Sequence, residues 1–127
     1  MATQSLLNSQ VESGVATIKA LDLASLGVGA AFWLFDEETQ TWRFNLVERG
    51  FDSAGPRSTY DRISAALAKA PGTLPFREVY LVSPKDPLIQ RMKLALSTPP
   101  NAILGVWFMG NSVNGVVLPD MYVYRIS

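Results

Sequence analysis

The chain has 127 residues, of which 17% are charged, with 11 basic and 11 acidic side chains and a formal net charge of zero. It contains neither cysteine nor histidine, which excludes disulfides, thiolate chemistry and the commonest general base and zinc ligand. It also lacks the overall basic excess that phosphate neutralisation demands, so nucleic acid is not an expected partner.

The length fits a single domain over residues 1–127, long enough to bury a core without a staple. A neutral surface offers little electrostatic protection against self-association, so a homodimer is expected, with a protein partner as the other possibility. Met1-Ala2-Thr3-Gln4-Ser5 has no cationic and no apolar segment, so no secretory signal is expected. No apolar run approaches the ~20 residues of a membrane helix. The default expectation is a cytoplasmic protein with no membrane contact and no cofactor.

Leu7, Val11, Val15, Ile18 and Leu21 recur at helical spacing, which predicts a first amphipathic helix weakened slightly by Gly14. Val28 to Phe35 is apolar on both alternating faces, as a central strand would be. Asp36-Glu37-Glu38-Thr39-Gln40 is a polar turn. Trp42, Phe44 and Leu46 then alternate with Arg43 and Asn45, completing a hairpin covered on one face.

Gly50 to Arg57 reads as a loop. Ser58 with Asp61 resembles a helix-starting capping box, followed by a stripe of Tyr60, Ile63, Ala66, Leu67 and Ala70 that Pro71-Gly72 ends. Phe76 to Val82 reads as a strand. Asp86-Pro87 is a cap followed by a first-turn proline, opening a helix that buries Leu88, Ile89, Met92, Ala95 and Leu96 and stops at Pro99-Pro100.

Residues 94–119 carry no charge. Within them, Ala102 to Met109 is apolar on both faces, so a long strand over 102–113 is expected, with only 102–109 buried on both faces. Asn114-Gly115 then turns a hairpin into a strand over 116–126, interrupted by Pro119-Asp120. The element order α-β-β-α-β-α-β-β implies an α+β domain. Its mainly antiparallel sheet has about five strands, with three helices.

Candidate chemistry is sparse. The acidic turn at 36–38 is better read as solvated than as a metal site, so no metal is expected. Arg57 and Ser58, and Ser83 and Lys85, lie before two helix starts and are candidate anion-binding residues. Tyr60, Arg62, Tyr122 and Arg125, with Arg57 and Lys85, could serve a histidine-free RNA-cleaving or toxin-like enzyme, but no spacing singles them out. Tyr122 and Tyr124 are expected on one face of the last strand and Arg125 on the other. Trp107, Met109, Val117, Tyr122 and Tyr124 are the candidate interface residues.

Three functions compete. The favoured one is a non-enzymatic binding or assembly module that self-associates through its C-terminal hairpin, leaning against an enzyme. The others are the RNA-cleaving enzyme and a sensor whose aromatic strands enclose a small ligand.

Overall fold

A computed structural model describes residues 5–127. The reading of the chain start falls largely on residues 1–4, outside the described residues. The elements are α1 (Asn8–Leu23), β1 (Val28–Asp36), β2 (Thr41–Glu48), α2 (Phe51–Ala54), α3 (Pro56–Ala68), a 3₁₀ turn (Phe76–Glu78), β3 (Val79–Leu81), α4 (Pro87–Ala95), β4 (Val106–Phe108), β5 (Ser112–Val113), β6 (Val116–Val117) and β7 (Met121–Ile126).

Five strands form one sheet in the order β3-β2-β1-β7-β4, and β5 pairs with β6 apart from it. The ladders are antiparallel except for β2 with β3. This is an α+β fold with a mixed sheet. The connection from β2 to β3 runs through two helices, which is the kind of crossover a parallel pair requires. The additional helix is α2, a single turn in the stretch read as a loop.

Both faces of the sheet are covered. Ile18 and Leu21 of α1 and Ile63 and Leu67 of α3 pack with Ala31, Trp33, Phe44 and Leu46 on one face. Ile89 and Met92 of α4 pack with Phe32, Val47, Met121 and Val123 on the other. Each buried Ile, Leu, Val, Phe or Met side chain among them contributes about 1.5–3 kcal/mol relative to leaving it in water. The central strand expected at Val28–Phe35 is central, and its immediate neighbours are β2 and β7.

Local signals held unequally. Asp86 caps α4, its carboxylate accepting from the Leu88 N–H at 2.9 Å, with Pro87 at the first helical position. Ser58 does not start α3. The helix begins at Pro56 with Gly55 as its N-cap, because proline's fixed φ already suits a first turn. The strand expected over 76–82 shrinks to Val79–Leu81, its first residues forming the 3₁₀ turn.

The largest departure is the apolar run. Ladder pairing within 102–109 is confined to Val106–Phe108, and these residues form an edge rather than a doubly buried strand. The place beside β1 belongs to β7, so among the described residues β4 pairs with β7 alone. Gly110, at φ +70°, ends the strand on one side, and Leu118-Pro119-Asp120 separates β6 from β7. The Asn114-Gly115 turn forms as expected, with φ of +51° and +79°. It joins only Ser112–Val113 to Val116–Val117.

A bulge changes which way β7 faces. Ala31 lies opposite Arg125 and Phe32 opposite Val123, so Tyr124 is the extra residue. Ala31 is on the α1 face and Phe32 on the α4 face. Tyr124 and Arg125 therefore both turn toward α1, because an inserted residue breaks the period-two alternation. The expectation that Arg125 points away from Tyr124 is corrected accordingly.

Candidate functional site: the open sheet edge and the aromatic face

The residues singled out from the sequence do not converge. Arg57 and Ser58 are exposed on the first turn of α3, and Lys85 is exposed before α4. The Ser83 hydroxyl donates to both carboxylate oxygens of Asp52, at 3.0 and 2.9 Å, and accepts from the Lys85 N–H at 3.1 Å. At the start of α4 the Asp86 carboxylate already fills the position an anion would take. Ser83 is thus a tether and Asp86 a cap, while Gly55, not Ser58, caps α3.

Arg125 cannot meet a substrate from its position. It is 1% exposed. Its guanidinium donates to Asp22 Oδ1 and Oδ2 at 3.0 and 2.9 Å, to the Val28 carbonyl at 3.3 Å and, through Nε, to the Ala102 carbonyl at 2.9 Å. It fastens the end of α1, the start of β1 and the approach to β4 onto β7. Arg62 lies elsewhere, on the rim of a groove of about 520 Å³ between α1 and α3.

The acidic turn is also structural. Asp36 accepts from the Glu38 N–H at 2.9 Å and pairs with Arg43 at 3.0 Å. Arg43 in turn lies 5.1 Å over the Tyr80 ring.

The candidate interface residues separate by depth. Trp107 is 49% exposed, Met109 52% and Val117 72%, while Tyr122 is partly covered. Tyr124 is fully buried, so it is a core residue and not part of any surface. Its hydroxyl accepts from Trp33 Nε1 at 3.0 Å and donates to the Val11 carbonyl at 2.7 Å. Burial pushes that hydroxyl well above the ordinary tyrosine value, against the opposing effect of the Trp33 bond.

Tyr124 belongs to an unbroken run of ring contacts on the α1 face. Trp33 meets Phe44 at 5.3 Å, Phe44 meets Tyr124 at 6.3 Å and Tyr124 meets Tyr122 at 5.3 Å. Tyr122 meets Trp107 at 4.7 Å, Trp107 meets Trp42 at 6.0 Å and Trp42 meets Phe35 at 5.3 Å. Most of the contacts are edge-on or tilted, the arrangement the ring quadrupole favours. The run starts in the core and surfaces at Trp42 and Trp107.

Trp107 surfaces on β4, whose outer edge has no neighbouring strand among the described residues. Leu104, Trp107 and Met109 expose apolar side chains along it, and Val116 and Val117 do so on the adjoining hairpin. Edge strands are normally shielded by charge or proline. No charged residue lies between Lys93 and Asp120, and no proline lies between Pro100 and Pro119.

One recess was not foreseen from the sequence. It lies beside Trp42, where the α1 start, the β1–β2 hairpin and the 3₁₀ turn meet, and Gln10, Arg77, Glu78 and Tyr80 help to line it. No local spacing connects these residues, since they come from four separate elements. Among the described residues no helix is long and apolar enough to cross a membrane. No family model, curated protein or solved structure matches the chain.

Proposed function

We propose that the protein is a binding or assembly module that self-associates through β4 and the adjoining β5–β6 hairpin. The observation that carries this reading is an apolar, charge-free sheet edge in a chain of zero net charge. An unpaired edge presents backbone donors and acceptors that a second strand satisfies. An antiparallel strand can pair with its own copy about a two-fold axis, so one patch serves both partners. Leu104, Trp107, Met109 and Val117 would then lose their solvent exposure. The buried guanidinium of Arg125 and the buried hydroxyl of Tyr124 supply rigidity behind the edge and take no part in chemistry.

Sedimentation mass measured across micromolar to millimolar concentrations tests the reading, together with hydrogen exchange over residues 104–117. A dimer whose protection in that segment falls on dilution supports it. A monomer at every concentration, with unchanged exchange, overturns it.

A further inference from the structure

We propose that the recess beside Trp42 binds a neutral sugar ring. The recess has a volume of about 190 Å³. A cavity of about 150 Å³ accommodates benzene, so the recess can take one face of a six-membered ring, with the ring's substituents reaching its rim. The half-buried Trp42 offers an aromatic wall, while the Tyr80 ring, also in the lining, is covered on one face by the Arg43 guanidinium at 5.1 Å. The negative face of an indole attracts positively polarised C–H groups, and those groups form the apolar face of a pyranose.

The polar groups fit hydroxyls better than charges. Arg77 and Glu78 line the recess, and neither has an ion-pair or hydrogen-bond partner among the described residues. Gln10 commits its carbonyl oxygen to the Leu7 N–H at 2.9 Å, which leaves its amide nitrogen to donate. Guanidinium, carboxylate and amide are planar groups that can hydrogen-bond two neighbouring hydroxyls at once. Arg43, also in the lining, is already paired with Asp36, and Arg77 balances Glu78. The recess therefore presents no net charge and favours a neutral ligand over a phosphate or carboxylate. The polar lining lies on α1, β2, the 3₁₀ turn and β3, away from β4, and Trp42 links the recess to that edge through its contact with Trp107 at 6.0 Å.

The test is an NMR titration of the ¹⁵N-labelled protein with the methyl glycosides of glucose, galactose, mannose and N-acetylglucosamine. Parallel titrations use phenylalanine as a zwitterion and adenosine as a planar base. At least one glycoside is expected to shift the Trp42 indole and Arg77 side-chain signals saturably, with a dissociation constant of about 1 mM or weaker, as befits a small polar ligand in a shallow site. Arg77→Ala and Glu78→Ala, both at exposed positions, are each expected to weaken binding about tenfold with core amide signals unmoved. Three results overturn the proposal: no saturable shift with any of the four glycosides, shifts that survive both substitutions, or saturation by phenylalanine or adenosine alone.

Discussion

Asp22 closes the last turn of α1 by holding Arg125, its carboxylate oxygens 3.0 and 2.9 Å from the two terminal guanidinium nitrogens. The arginine is almost wholly buried, whereas Asp22 keeps about a third of its side chain in water. Removing the aspartate strands a buried cation, which is costlier than the intact pair is favourable. Asp22→Ala is expected to destabilise the fold by about 3 kcal/mol, read as a lower urea midpoint with an unchanged slope. A loss below ~0.5 kcal/mol, the range of an ordinary surface substitution, would mean that the two backbone carbonyls alone satisfy Arg125.

Tyr124→Phe leaves the Trp33 N–H without its acceptor, while the Val11 carbonyl, inside α1, loses only a second donor. The expected cost is about 1–3 kcal/mol, the penalty for a buried polar group left unpaired. Thermal unfolding of the two proteins side by side measures it.

The same hydroxyl sets an alkaline limit. Its folded value is raised, so above the ordinary tyrosine value of 10.0 the unfolded chain releases a proton that the folded chain retains. Stability is therefore fully present below that pH and falls as pH rises through the window above it. Wild type should lose stability more steeply above pH 10 than Tyr124→Phe does. Parallel profiles for the two proteins would remove Tyr124 from the account.

In an exposed helix, replacing Gly14 with alanine would add about 1 kcal/mol of stability. Here an added Cβ would run into the Tyr124 hydroxyl and ring. Gly14→Ala is therefore expected to destabilise, and replacing Tyr124 with leucine in the same chain should make the glycine substitution cheaper. Additive losses in the double-mutant cycle would show that the two positions do not couple.

Met109 and Val117 project from the edge and the hairpin, and neither makes a ring contact. Met109→Lys combined with Val117→Lys places two charges on the self-pairing surface. The dimer is expected to dissociate at least tenfold more readily, while the melting temperature of the monomer changes little. A sedimentation profile identical to wild type would place any interface elsewhere.

Much of the local structure was legible before the fold. The helix spacing of Val11, Val15, Ile18 and Leu21, the two-sided apolar pattern of Val28–Phe35, the Asp86-Pro87 helix start and the Asn114-Gly115 turn all depend on residues close in sequence. Their physics is local, so they survive in the structure. The failures come from competition between distant segments. Ala102–Met109 has the composition of a buried strand, yet β7 took the place beside β1 and left the run at the edge. Tyr124 looked like an interface residue and lies in the core, and a one-residue bulge turned Arg125 toward Asp22. The recess beside Trp42 had no sequence signal, because Gln10, Trp42 and Arg77 meet only in three dimensions.

By itself, the sequence determined which chemistries are closed to this protein and where its turns, caps and amphipathic faces fall. Composition limits the available functional groups, and φ preferences with apolar periodicity act over a few residues. Tertiary structure decided which apolar strand became the centre and which the open edge. That choice rests on strand order, and the facing of Tyr124 and Arg125 on a bulge in the β1–β7 ladder; each is settled only when segments far apart in the chain compete for the same neighbour.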